Sequence, residues 1–294
     1  MNLNQLETFV HVAEHGSFSK AALVLGVAQP ALSRQVRALE TELHETLLLR
    51  NGRGVQLTEA GRRLLEHCQD ILHLVARAKE DLQAQRHEPV GQITIAMPPT
   101  LARLHTLPLI QAFQAEMPRA RLAIMEGFSV HLTEWLLTGR TDLALIYGPD
   151  ALPALEILPL RRERICLLSP KDQAPAGPLS LEQLARLPLV MPQRGHTFRN
   201  LMESAAAMAG VQLNVVWEVS SVPAILDLVA AGIGHAALGE EATRMFEHPE
   251  RLATTPFAGT AIVNTLCLVT PAQRRATPLT QRTAALLMRL LRAP

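Results

Sequence analysis

Gln29, Ser33, Arg34 and Arg37 fall within a short stretch of chain, and their side chains form a set suited to reading duplex DNA. An arginine fork bonds two acceptors on guanine, and glutamine bonds two groups on adenine. A helix lying in the major groove needs such short polar and basic groups near its N-terminus, where the free N–H groups also favour phosphate. Pro30 stands near the start of the same segment, where its missing N–H costs little. Ser17 and Ser19 ahead of this segment, and Arg50 and Arg53 behind it, complete the candidate contacts.

A second set lies further along the chain. Thr100, Ser129, Thr197 and Ser221 each stand at or near the start of a predicted helix that follows a predicted strand. Hydroxyls there can bind a carboxylate, and they can equally serve as plain N-caps. Phe128, Tyr147 and Phe198 offer apolar walls beside them, while Pro99, His196, Val222 and Gly239 occupy neighbouring positions beyond the strand ends. In open α/β sheets ligands sit beyond the carboxyl ends of strands, so these positions suit a small organic anion with an apolar part. Arg194 and Arg199 flank the His196 loop as further carboxylate partners or as plain surface arginines.

The elements that must position the first set read clearly. Leu3, Leu6, Phe9 or Val10 and Ala13 recur at helical spacing. His15-Gly16 ends that helix, and Ser17 caps a short second one with Ala21, Ala22 and Leu25 inward. Gly26 supplies a tight turn. Leu32, Val36, Leu39 and Leu43 then make the inward stripe of a third helix, leaving the polar and basic set outside it. Asn51-Gly52-Arg53-Gly54 reads as the turn of a β-hairpin wing.

Ser17-Phe18-Ser19-Lys20-Ala21-Ala22, the run from Gln29 to Glu40, Arg50, and Leu57-Thr58-Glu59-Ala60-Gly61 together resemble the N-terminal domain of LysR-type transcriptional regulators. Length, linker and the later α/β pattern extend the resemblance over the whole chain. The chain departs from the family at His44, where members often carry Gly, at Leu48 (often Phe), and at Ala28 (often Ser or Thr). The resemblance places Gln29, Pro30, Ser33 and Arg34 on the groove-facing part of the recognition helix. It implies an α/β protein overall: an all-α winged helix-turn-helix at 1–57, a linker helix for dimerisation at 58–87, a hinge at 88–91, and a two-lobed α/β effector domain like periplasmic binding proteins at 92–294. Lobe I takes about 92–161 and 268–294, and lobe II about 162–267. The resemblance also implies homodimers that pair into homotetramers, an interrupted palindromic promoter site, a small-molecule effector, and RNA polymerase as a downstream partner.

Composition agrees with a globular DNA reader. The 294 residues are 48% hydrophobic and carry a net charge of +1, so bulk polyanion binding is excluded. Residues 1–90 hold 10 Lys and Arg against 11 Asp and Glu, so positive charge must be local. Aromatics are 3%, too few for the stacking platforms that bind single strands. No signal peptide precedes Met1, and no apolar run approaches the ~20 residues of a membrane span, so a cytoplasmic protein without membrane contact is expected.

From Thr58 to about Arg86 the chain has no Pro, and its one Gly is at the start. Leu64, Ile71 and Ala78 are spaced in sevens, as are Cys68, Val75 and Leu82, which makes an a/d seam for self-pairing. The alternative is a helix packed on its own globular body. Beyond His87-Glu88-Pro89-Val90-Gly91, strands at Ile93–Met97, Leu122–Met125, Leu143–Tyr147, Leu189–Met191 and Val215–Val219 alternate with helical segments. That alternation predicts βαβ units and mostly parallel sheets. Crossover strands are expected near 160–168 and 262–269.

Three other chemistries depend on residues elsewhere in the chain. Cys68, Cys166 and Cys267 lack CxxC spacing and a His cluster, so no metal site and no cofactor is expected. A thiol sensor remains an alternative, with Cys166 and Cys267 on the crossover strands and Cys68 on the seam. An enzyme is not expected: there is no GxSxG, no phosphate-cradling glycine loop and no paired catalytic carboxylates.

Overall fold

A computed structural model describes residues 1–51, 54–83, 89–259, 261–274 and 276–292. The chain forms two compact units, one of Met1–Gln85 and one of Arg86–Leu137 with Thr141–Pro294. Arg53, the end of the expected linker helix (84–87) and Glu88 of the expected hinge lie outside the described residues, as do the side chains of Arg50 and Leu82.

The first unit runs α1 (Leu3–His15), α2 (Phe18–Leu25), α3 (Gln29–Leu43), β1 (Leu48–Asn51), β2 (Gly54–Leu57) and α4 (Glu59–Gln83). Asn2 opens α1 through a reciprocal capping box with Gln5. Ser17 accepts the Lys20 N–H and starts α2, as its sequence position predicts. Gly16 and Gly26 close α1 and α2 at φ 58° and 66°, a region where a Cβ is strained. Leu6, Phe9, Val12, Leu32, Val36 and Leu39 form the core. Leu3 stands outside it, ahead of the first full turn. Two side chains fix the wing, the antiparallel pair β1–β2. Glu40 on α3 accepts the N–H groups of Leu47 and Leu48 at 2.9 and 3.1 Å.

The Leu57-Thr58-Glu59-Ala60-Gly61 motif now has a physical reason. Thr58 donates its hydroxyl to Thr46 O at 2.7 Å and accepts the Gly61 N–H at 2.9 Å. Gly61 lies so close to the wing that a Cβ on it would sit 2.2 Å from Leu47 O. Two family departures are also explained. Ala28 is the N-cap of α3 and makes no side-chain bond. His44 ends α3 at φ 55°, the only positive φ outside glycine among the described residues, so a glycine there removes strain of about 1 kcal/mol.

The second unit runs β3 (Gly91–Met97), α5 (Pro99–Glu116), β4 (Ala120–Glu126), α6 (Ser129–Thr138), β5 (Leu143–Tyr147), β6 (Leu155–Pro170), α7 (Leu181–Leu184), β7 (Leu189–Met191), α8 (Thr197–Met208), β8 (Val215–Glu218), α9 (Val222–Ala230), β9 (Ala236–Gly239), β10 (Leu252–Pro256), β11 (Val263–Pro271) and α10 (Pro278–Arg292). β3 pairs in parallel with β4 and β5, and β7 in parallel with β8. The long strands β6 and β11 pair with each other antiparallel and link the two halves of the unit. β5, β9 and β10 join them antiparallel as well.

The expected mostly parallel arrangement is therefore corrected to a mixed one. Every strand that touches the crossover pair meets a chain running the other way. β10 was not anticipated, because Leu-Ala-Thr-Thr-Pro carries little apolar alternation. Glu240–Met245, which follows β9, is a 3-10 turn.

Candidate DNA-contact face and ligand cleft

On α3 the buried stripe of Leu32, Val36 and Leu39 turns the opposite face outward. Gln29, Pro30, Arg34 and Arg37 are exposed there, and Ser33 is half-buried at its edge. Arg34 and Arg37 form no ion pair among the described residues, and the first turn of α3 holds no acidic side chain. Two guanidinium groups and a helix N-terminus thus stand free on one surface of an otherwise uncharged-on-balance unit. Ser19 is exposed on α2, whereas the Ser17 hydroxyl is engaged as the α2 cap.

The α4 helix forms as one piece, but its packing revises one expectation. Cys68 is 0% exposed, in the core of the first unit with Leu64, Leu65 and Leu72 around it. It is a buried small hydrophobe of its own domain, and not part of a seam offered to a second helix. Ile71, Leu74 and Ala78 are exposed, and Val75 is half-buried.

In the second unit, the helix N-termini of α5, α6, α8 and α9 converge on a cavity of about 870 Å³. Pro99, Thr100, Phe128, Ser129, Tyr147, His196, Thr197, Phe198, Ser221 and Val222 all line it. Gly239 does not. It ends β9 against the Glu163 carboxylate, and a Cβ there would sit 2.3 Å from Oε1. This strand end faces the crossover strand β6.

The hydroxyls divide into two kinds. Ser221 caps α9, accepting the Ala224 N–H at 3.4 Å. Thr100, Ser129 and Thr197 cap nothing. Pro98 and His196 hold the N-cap positions of α5 and α8. Ser129 Oγ and Thr197 Oγ1 lie 3.0 Å apart, and the Thr100 hydroxyl makes no hydrogen bond among the described residues. None of the four helices carries an acidic residue in its first turn. Their N-terminal partial charges, about half a positive charge each, are therefore not offset from within. A carboxylate at their meeting point would be held by hydroxyls and free N–H groups.

Aromatic rings form the apolar wall. His196 lies 5.7 Å from Phe128 and 5.4 Å from Phe198, which in turn lies 5.4 Å from Tyr147. Burial lowers the His196 pKa to about 4. Its Nδ1 accepts the Phe198 N–H at 3.3 Å, so the neutral ring carries its proton on Nε2.

Behind Tyr147 sits a buried charged cluster with no counterpart among the sequence candidates. Glu163 is 5% exposed, and burial raises its pKa against the opposing pull of hydrogen bonds from Tyr147 and from the Glu241 N–H. Arg161 bonds Glu241 at 2.8 Å. Arg161-Arg162-Glu163-Arg164 is an unbroken charged run, so alternation along β6 gives no signal for this cluster. Arg161 and Glu163, two positions apart, share one face of β6, in a stretch whose sequence reads only as a crossover.

Sequence reasoning also missed Arg103, Leu107 and Ile110, which line the cavity from α5. Helical spacing from Thr100 places them on its face, so the signal was present. Arg199 is removed as a ligand partner. At 3% exposure it is paired with Glu203 at 2.6 Å and Glu218 at 3.4 Å. Arg194 is exposed and lines a different, smaller cavity of about 440 Å³.

A Cys166–Cys267 disulfide does not fit this geometry. Cys267 faces Pro159 across β6, whereas Cys166 lies seven positions further along that strand. Seven residues of strand span roughly 23 Å, against the under-7 Å Cα separation a disulfide needs. Burial raises the pKa of all three thiols, to about 11 for Cys68.

Comparison with known proteins gives a consistent match over both units. The family described as "Bacterial regulatory helix-turn-helix protein, lysR family" matches residues 3–62, and "LysR substrate binding domain" matches residues 86–292. The chain is 30% identical to the nitrogen assimilation regulatory protein Nac of Escherichia coli K12, over 100% of this chain and 96% of that one. Nac of Klebsiella aerogenes is 32% identical over 83% of this chain and 80% of its own. Full-length CbnR, solved as a complex with its target DNA, superposes with a TM-score of 0.74 at 25% identity, covering 98% of this chain and 99% of CbnR.

Proposed function

Since this chain belongs to the LysR family of DNA-binding transcriptional regulators, we propose that it reads an interrupted palindrome as an oligomer and is gated by a small organic anion in its cleft. Its family and curated relatives are transcriptional regulators, not enzymes. The proposed division is a winged helix-turn-helix at 1–57, a linker helix at 58–87, a hinge at 88–91, and an effector domain beyond. That domain would comprise two lobes, about 92–161 with 268–294, and about 162–267.

In the DNA-binding part, Gln29, Ser33 and Arg34 would meet base edges, and Ser19, Pro30, Arg37 and the wing arginines Arg50 and Arg53 the flanking backbone. Two such surfaces on a dimer would read two half-sites. Pairing of α4 helices through Ile71, Leu74 and Val75 would make the dimer, and dimers would join into tetramers. The protein would work in the cytoplasm beside RNA polymerase, changing its recruitment through the bend of the operator.

The observation that carries the gating reading is the convergence of four helix N-termini, free of acidic first-turn residues, on one 870 Å³ cavity. A ligand that touches both halves of the unit favours one relative orientation. It shifts the equilibrium only by its differential affinity, commonly ~1–3 kcal/mol of coupling. Operator affinity and footprint of the full chain, measured with and without a panel of monocarboxylates, test this. A change of about 5–150-fold in affinity, or a shifted footprint, is expected for a binding acid. Binding without any change in affinity, bend or footprint would contradict gating.

A further inference from the structure

The cleft is larger and more one-sided than a compact acid requires. Its hydroxyl end is made by Thr100, Ser129 and Thr197. From Thr100 the lining continues along one face of α5 through Arg103, Leu107 and Ile110. Ten residues of helix separate Thr100 from Ile110, about 15 Å of axis. Leu107 is 67% exposed and Ile110 46% exposed, so two large apolar side chains face the open cavity and not a core.

The charge of the lining is also informative. Arg103 and Glu126 are its only ionised side chains, since His196 is neutral, and their charges cancel. The helix N-termini meet at the hydroxyl end of the cleft, so they hold a carboxylate there and not further along the stripe. No net positive side-chain charge remains to hold a second.

From these two features we infer that the effector is a long amphipathic monocarboxylate, with its carboxylate at the hydroxyl end and its apolar body laid along Leu107 and Ile110. Leu107 and Ile110 then set specificity by length. A body on the order of ten carbons spans the 15 Å stripe. Continuity of the stripe with the hydroxyl end, within a single cavity, is what assigns it to the ligand. This inference rests on the cleft being the effector site.

Calorimetric titration of the full chain with acetate, benzoate, succinate, hexanoate, octanoate and decanoate, each below its micellar range, is the test. Affinity is expected to rise about fourfold per added methylene from hexanoate to decanoate. Succinate is expected to bind more weakly than the monocarboxylates. Leu107→Ser with Ile110→Ser should bring decanoate down to the affinity of a short acid. Because both side chains are exposed, the variant's thermal midpoint should match the parent's. Glu126→Gln should raise the affinity for succinate, by leaving the Arg103 charge in the lining uncancelled.

Benzoate and decanoate binding equally, or succinate binding tightest, overturns the inference and leaves the cleft as an acid site. Binding of no acid at all overturns both. An unchanged chain-length series in the double variant, with a lowered sedimentation coefficient, would assign the stripe to a second copy of the chain and overturn the inference.

Discussion

The Ser129 and Thr197 hydroxyls meet at 3.0 Å, although 68 positions separate them in the chain. Each is the first residue of its helix, α6 and α8. Phe128 and His196, the residues just before them, also touch ring to ring. The contact therefore clasps two helix N-termini from the two halves of the α/β unit, and both hydroxyls face the cleft. A carboxylate entering there replaces one neutral hydroxyl pair with charge-assisted bonds, which are roughly twice as strong.

Ser129→Ala and Thr197→Val should each change stability by no more than about 1 kcal/mol, because the bond they remove is neutral and partly solvated. Their coupling in a double-mutant cycle should be about 0.5–1.5 kcal/mol in thermal unfolding. Both should weaken acid binding while leaving operator affinity in the absence of acid unchanged. Loss of DNA binding in either variant would show that the pair supports the fold and not the ligand site.

His196 should remain neutral across the physiological range. Its folded pKa, lowered to about 4, lies below the usual 6.5. The stability it contributes is therefore present above pH 6.5 and is lost as pH falls toward 4. His196→Asn keeps a side-chain cap for α8 and removes the titration. Relative to that variant, the parent should lose on the order of 2 kcal/mol between pH 7 and pH 4. Thermal midpoints at several pH values measure this, and parallel curves would mean that the ring is not buried as described.

Glu163 titrates in the opposite sense. Its folded pKa is raised, chiefly by burial. Its favourable contribution is complete below the unfolded value near 4.5, and it declines as pH rises through the folded pKa. Glu163→Gln retains an acceptor for the Glu241 N–H, which bonds Oε1 at 3.1 Å. The variant should gain on the parent as pH is raised from 4.5 to 7.5. A constant difference in midpoint across that range is the result that refutes the assignment.

Ile71 and Leu74 are exposed on α4, at 36% and 52%. Ile71→Asp with Leu74→Asp should leave the first unit folded, since neither side chain belongs to its core. Sedimentation should show a smaller species, and operator affinity should fall with it. Unchanged mass at micromolar concentration would place the self-association surface elsewhere. Cys68→Asp, by contrast, should unfold the domain, because that side chain is wholly buried.

Much of the first unit is legible because its signals are local. Caps, turn glycines and a 3.6-residue stripe fix three helices, and Ser17, Gly26 and Leu32 each stand where those rules place them. The cleft was legible for a different reason. Residues at strand ends and helix starts converge in an open α/β unit wherever the strands point, and ten such positions meet in one cavity. Contacts that depend on strand pairing were not readable. Gly239 turns to Glu163 because β9 pairs with β6, and no local pattern announces that register. Cys68 was misassigned because a heptad seam and the side of a helix packed on its own domain share the same spacing. The separation of Cys166 from Cys267 is likewise a matter of register, visible only once β6 and β11 are aligned.

The most direct test concerns Arg34. A selection for bound sequences from random duplexes, followed by affinity measurements for the parent and Arg34→Ala, reads the α3 face itself. The proposed role predicts one preferred interrupted palindrome for the parent. It also predicts a loss of about 1–3 kcal/mol for the variant, with base preference relaxed at one position of each half-site. Equal affinity of the parent for all duplexes, or an Arg34→Ala protein that keeps full affinity and full preference, would contradict it.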